Sequence, residues 1–148
     1  MKVLLVGVIV ALGLALFATR AMAATRSHGA AAGISVRGSQ FGRILFDHRG
    51  FVLYGFTRDT AKRSACYGAC AAAWPPYLVN ARPRALAGVK SGLIGTTRRR
   101  DGKLQATYAG RPLYYYIGDR QPGQILCQNV PEYGGTWLVL RPNGKYVR

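Results

Sequence analysis

The segment "LYGFTRD" (Leu53–Asp59) returns sixty residues later as "LYYYIGD" (Leu113–Asp119). At that single offset, without a gap, Gly42 pairs with Gly102, Arg43 with Lys103, Ile44 with Leu104 and Gly50 with Gly110. Leu53 likewise pairs with Leu113, Tyr54 with Tyr114, Phe56 with Tyr116 and Asp59 with Asp119. Eight pairs at one spacing, turn glycines among them, mark a duplicated unit rather than a chance motif. Each unit reads as a hairpin followed by a variable segment that ends near a tryptophan, Trp74 or Trp137. A lone hairpin cannot bury enough apolar surface to stand by itself, so the two copies are expected to pack their aromatic faces into one core.

Local patterns supply the elements. "GRILFD", the turn His48-Arg49-Gly50 and "FVLYGF" predict a hairpin. "LIGTTR", the turn Arg100-Asp101-Gly102 and "KLQATY" predict a second, with Leu104, Ala106 and Tyr108 alternating onto one face. "TWLVLR", Pro142-Asn143-Gly144 and "KYV" predict a closing hairpin. Only "RSACYGACAAAW" (Arg63–Trp74) has helical character, with Ser64 as its cap and Pro75-Pro76 as its stop. The fold class is therefore β-rich, mainly β with one short helix. Two pseudo-equivalent hairpin repeats, about 41–80 and about 101–141, pack into one small domain spanning 41–148.

The segment before that domain reads differently. Lys2 precedes an apolar run from Val3 to Phe17, and "AMA" at Ala21–Ala23 fits a secretory cleavage site, so residues 1–23 are expected to be a signal peptide. The run is shorter than the roughly 20 residues a membrane span requires, and no transmembrane span is expected in the mature chain. Residues 24–40 are small, polar and rich in Gly and Ala, and read as a flexible lead-in that joins the fold near Ile34–Val36. Loss of the signal leaves nineteen basic residues against five acidic ones, a net charge of about +14. Such an excess attracts polyanions through long-range fields. Outside a cell these are acidic lipid, wall polymers and shed nucleic acid.

Tyr54-x-Phe56-x-x-Asp59 and Tyr114-x-Tyr116-x-x-Asp119, with "CYGACAAAWPPYL" and "YAGRPLYYYIGD", resemble a bacterial family of secreted repeats. Its members are described as predicted lipoproteins with a Tyr-x-(Phe/Trp/Tyr)-x-x-Asp motif. The resemblance spans roughly Phe41 to Arg141. It implies a secreted, periplasmic or envelope-associated domain of unassigned role. Many members carry a lipidated Cys just after the signal. Here the first Cys is Cys66, so lipid anchoring does not carry over.

The motif residues have a structural reading and a functional one. Tyr54, Phe56, Tyr114 and Tyr116 alternate along strands and so share core faces, while Asp59 and Asp119 sit where a carboxylate accepts turn N–H bonds. The functional reading brings the two Asp together as a cation site, although oxygen-rich sites normally need more ligands. Among the cysteines, Cys66-x3-Cys70 fits a disulfide by spacing and by its likeness to the family stretch. Its rivals are Cys66–Cys127 and Cys70–Cys127, because Cys127 aligns beside Cys66 at the repeat offset.

No catalytic, cofactor-binding or metal-ligating residue is assigned. The two His fall in the lead-in and in a hairpin tip, and no phosphate-binding loop, G-x-S-x-G or haem-attachment pattern occurs. The chain is read as a non-enzyme without a cofactor. Its basic loops, Arg98-Arg99-Arg100 foremost and "RPR" (Arg82–Arg84) beside them, are expected to hold anionic envelope polymers or acidic lipid, with no sequence-specific nucleic acid. The alternative is a redox or electron-transfer accessory acting through its cysteines or an unseen cofactor.

Overall fold

Short apolar runs cut by turn glycines allow only short elements. The computed structural model describes residues 31–148; the signal segment and the start of the lead-in, residues 1–30, lie outside the described residues. Among the described residues there are nine strands and one α-helix. The strands are β1 (Gly33–Arg37), β2 (Ile44–Asp47), β3 (Tyr54–Phe56), β4 (Arg84–Ala85), β5 (Ile94–Arg98), β6 (Leu104–Tyr108), β7 (Arg111–Pro112), β8 (Val130–Glu132) and β9 (Gly135–Val139). The helix α1 (Ala69–Ala73) lies between β3 and β4. Three small sheets result, ordered β2-β1-β4, β3-β9-β8 and β5-β6-β7.

Repeat glycines recur for a backbone reason. Gly42 and Gly102 have φ of 82° and 80°, and Gly50 and Gly110 have φ of 94° and 75°. Both copies turn at the same two points through the left-handed region, which a side chain disfavours.

Strands β2 and β3 are buried on both faces. Along β2, Ile44 and Phe46 enter one apolar cluster while Leu45 enters the other. Val52, Tyr54 and Phe56 follow the first cluster and Leu53 the second. Successive side chains of a strand point to opposite faces, so one run feeds two cores.

The repeats meet about a pseudo-two-fold centre at Tyr54 and Tyr114. Each donates its backbone N–H to the other's carbonyl at 2.9 Å. Both side chains are fully buried. Their hydroxyls then cross: Tyr54 donates to Asp119 Oδ2 at 2.7 Å, and Tyr114 donates to Asp59 Oδ2 at 2.8 Å. Each carboxylate also anchors its own loop, Asp59 accepting from the Ala65 N–H at 2.8 Å and Asp119 from the Leu126 N–H at 2.9 Å.

The rings interlock in the same sense. Trp74 and Trp137 stack with centroids 4.0 Å apart and planes 2° apart. Phe56 of the first repeat stacks on Trp137 of the second at 4.2 Å, and Tyr116 of the second packs on Trp74 of the first at 4.7 Å. Tyr54 meets Trp74 edge-on at 5.2 Å, and Tyr114 meets Trp137 edge-on at 5.1 Å. The symmetry breaks at the indoles, since Trp74 Nε1 donates to Glu132 Oε2 at 2.9 Å whereas the buried Trp137 Nε1 has no acceptor.

Three expectations need correction. The lead-in joins the fold at Ile34–Val36 as expected, but as a full strand rather than as part of a flexible stretch reaching residue 40: Ile34 and Val36 are buried, and β1 pairs antiparallel with β2. The helix is far shorter than Arg63–Trp74. Ser64 does not cap it; its hydroxyl is occupied by Tyr114, Arg99 and the Cys66 backbone, and Gly68 precedes the helix without a side-chain cap. The first hairpin closes locally at Phe46 and Val52, but its arms part, β2 pairing with β1 and β3 with β9.

The crossed bonds predict matched losses. Tyr54→Phe and Tyr114→Phe should each lower unfolding free energy by about 1.5–3 kcal/mol, the range for hydrogen bonds to charged groups. Urea denaturation measures this, and a loss confined to one variant would break the proposed equivalence.

Candidate anion-binding groove

The β5–β6 hairpin and the loop after β3 place the basic residues. At the hairpin tip the Arg99 N–H donates to the Lys103 carbonyl at 2.9 Å and the Gly102 N–H to the Arg99 carbonyl at 3.0 Å. The Asp101 carboxylate accepts from the Lys103 N–H at 3.1 Å. The tip is thus a tied turn rather than the flexible loop its composition suggests.

Arg99 turns inward, although the sequence groups it with Arg98 and Arg100 as one basic loop. The residue is 5% exposed. Its guanidinium donates to Gln105 Oε1 at 2.7 Å, the Cys66 carbonyl at 2.7 Å and Ser64 Oγ at 3.0 Å. Asp101 Oδ2 lies 3.8 Å from Arg99 Nε, close enough for charge attraction and too far for a hydrogen bond. Arg99 therefore joins the first repeat's loop to β6 of the second.

Arg98 and Arg100 stay at the surface. Arg98 donates to the Gly102 carbonyl at 2.8 Å, and the Arg100 guanidinium lies 4.0 Å from the Tyr67 ring centre. On the facing loop, Arg58 is held by the Tyr133 carbonyl at 3.1 Å. Lys62 is fixed through its backbone, its N–H donating to the Gly110 carbonyl at 2.7 Å while its own carbonyl accepts from the Thr97 hydroxyl. Together with Arg63 and Tyr67 these residues line a groove of about 720 Å³, and no carboxylate is among its lining residues.

The sequence reading missed Arg58, Lys62, Arg63 and Tyr67. Three basic residues within "RDTAKR", ahead of the first Cys, were the available signal. The "RPR" segment goes elsewhere. Arg82 caps the carbonyls of Ile94 and Ser91, and with Arg84 it borders a separate groove beside Pro76 and Leu78.

The cysteines pair as Cys66–Cys70, with Cα atoms 5.3 Å apart, and Cys127 is a free, half-buried thiol. Cys66 lies ahead of α1, so a loop-to-helix link replaces the expected link within one helix. Burial pushes the Cys127 thiol up from its ordinary range. Each motif carboxylate accepts from the opposite tyrosine and from its own loop. Among the described residues no group of three His, Cys, Asp or Glu is placed to hold a metal, and no helix is long and apolar enough to cross a membrane.

Burial pushes Asp59 up to about 6, against the lowering effects of the Ala65 N–H, the Tyr114 hydroxyl and Arg99. Burial also raises Tyr54 and Tyr114, each further raised by the carboxylate it faces, and it raises Asp119.

A duplicated β unit, interlocked by Tyr and Asp and carrying one short disulfide loop, defines a two-repeat β-rich domain. The chain belongs to the family described as a secreted repeat of unknown function, whose model matches residues 36–77 and 95–141. No curated protein and no solved structure matches it.

Two predictions arise from the buried charges. Arg99→Gln should cost about 3 kcal/mol, because the Cys66 carbonyl and Gln105 lose a charged donor. Arg98→Gln should stay within about 0.5 kcal/mol, as surface changes do. Thermal denaturation of both separates a clamp from a surface charge. For Asp59, a raised carboxyl stabilises the fold most below pH 4, and that contribution is lost as pH rises through about 6. Asp59→Asn should remove this part of the pH dependence, measured as unfolding free energy at pH 4, 5, 6 and 7.

Proposed function

We propose that this protein is a secreted, non-catalytic binding domain that holds phosphate-rich polymers outside the cell through the groove around Tyr67. One observation carries the reading: the groove gathers five arginines and a lysine with no carboxylate among its lining residues, Asp101 reaching only the inward-turned Arg99 from outside it. Like charges brought together repel unless a counter-ion or ligand screens them.

The arrangement is also prepared in advance. Arg98 and Arg58 are steadied by backbone carbonyls and Arg100 by an aromatic face, which leaves other N–H groups free to donate. Guanidinium forks match phosphate oxygens in pairs, and preorganised donors lose less freedom on binding. A secreted family fits a location where acidic lipid, wall polymers and shed nucleic acid are met. Base readout is not part of the reading, since charge contacts to phosphate carry no sequence information.

The redox alternative has less behind it. Cys66 and Cys70 are buried in the aromatic cluster, and burial favours the thiol form of Cys127; both features slow thiolate chemistry.

Titration with inorganic polyphosphate at 50 and 200 mM salt tests the proposal. Affinity should fall steeply with salt, as counterion release requires. Arg58→Gln/Arg98→Gln/Arg100→Gln should bind more weakly and with a shallower salt slope, by roughly 0.7–0.9 per lost contact if the nucleic-acid scaling holds. Affinity that ignores either salt or the three substitutions would remove the groove from the function.

A further inference from the structure

Two neighbouring residues of the disulfide loop supply the contacts that aim Arg99 and Arg100. The Cys66 carbonyl accepts from Arg99 Nη2 at 2.7 Å. The Tyr67 hydroxyl accepts from the Arg100 backbone N–H at 3.1 Å, and the Tyr67 ring centre lies 4.4 Å from the Arg99 guanidinium carbon and 4.0 Å from that of Arg100. Residues 64–67 form no helix or strand; the Cys66–Cys70 bridge holds this segment together with Ser64, Arg99 and the Asp59 carboxylate on the Ala65 N–H.

We infer that the disulfide-closed turn is the positioning element of the anion groove, so that affinity for phosphate-bearing chains depends on the closed Cys66–Cys70 bridge and on an aromatic ring at Tyr67. This rests on the reading of the groove as an anion site. A guanidinium lying over an aromatic ring is attracted through its face, and its N–H edge stays available to phosphate. The ring itself carries no charge. It acts through Arg100, whose exposed guanidinium it holds, by fixing where those donors point before any ligand arrives.

The bridge matters because it fixes the backbone that carries the ring. Opening it with a dithiol forms two thiols at Cys66 and Cys70, while the reagent's two sulfurs join and its two electrons and two protons pass to the protein. Tyr67 then rides on a loop without its covalent closure, and the Arg100 side chain must be ordered on binding, since Arg99 keeps Gln105 and Ser64. Ordering one such side chain lowers affinity on the order of tenfold.

The experiment titrates inorganic polyphosphate into the oxidised protein, the dithiol-reduced protein, Cys66→Ala/Cys70→Ala, Tyr67→Ala and Tyr67→Phe. Near-UV circular dichroism reports whether each stays folded. About tenfold weaker binding is expected without the bridge and for Tyr67→Ala, with Tyr67→Phe recovering most of that loss. The salt dependence should keep its slope in the Tyr67 variants, because no charge has been removed; a merely structural role would not restore affinity through the ring alone. If the bridge-free forms lose tertiary structure, the comparison of Tyr67→Ala with Tyr67→Phe decides, since residue 67 is partly exposed and outside the core. Equal affinity of Tyr67→Ala and the unmodified protein, or of folded bridge-free and oxidised forms, overturns the inference while the groove reading stands. Absence of polyphosphate binding by the oxidised protein overturns both.

Discussion

The crossed hydrogen bonds between Tyr54 and Asp119 and between Tyr114 and Asp59 are the constraint on which the rest of the structure depends. Each repeat satisfies the buried polar group of the other. Neither carboxylate could sit at this depth without a donor, since a buried unpaired carboxyl carries a heavy desolvation cost. Around these bonds the rings alternate between the copies, Phe56 on Trp137 and Tyr116 on Trp74. Separating the repeats would thus expose the stack, strip both tyrosine hydroxyls of their carboxylates and leave each carboxylate with only its own loop amide. The small size of each sheet then ceases to matter, because the joint between repeats does the work that longer strands do elsewhere.

That joint also shapes the surface. Asp59 pins the Ala65 amide, Tyr114 and Arg99 both reach Ser64, and Arg99 spans from this loop to Gln105 on β6. The floor of the basic groove is therefore an extension of the core network. Its rim is mobile charge by composition, but held charge in structure. Arg98, Arg58 and Arg100 each rest on a neutral group, which keeps their positive fields uncancelled. A short disulfide loop beside this network has little chain entropy to restrict, so its value lies in placing Tyr67 and the Cys66 carbonyl.

Much of the fold was legible because its strongest signals were local or periodic. The sixty-residue offset exposed the duplication, and alternation placed Tyr54 and Phe56 on one face. The Cys66–Cys70 bridge followed from spacing and family likeness. The crossing of Tyr to the opposite Asp was not legible, since a repeat announces two equal halves without saying how they dock. Arg99 was misread for a related reason. Three adjacent arginines look alike in sequence, yet turn geometry sends the middle one inward, where Gln105, Ser64 and a free carbonyl happen to converge. The helix was overestimated because its alanines suit a helix, while the Ser64 hydroxyl that could cap it is taken by the inter-repeat network. The groove was half visible: its hairpin side stood out as a charge run, but its loop side depended on a tertiary approach.

Amide hydrogen exchange under native conditions tests the interlocked core most directly. The Tyr54 and Tyr114 amides each bond to the other repeat, and the Ala65 and Leu126 amides are held by the two crossed carboxylates. A single cooperative unit requires the two tyrosine amides to exchange only through global unfolding, with the same free energy and the same denaturant dependence. That equality is the result the account predicts. Exchange of Tyr54 through a smaller opening than Tyr114, or the reverse, would show that one repeat unfolds while the other stands, and would contradict it.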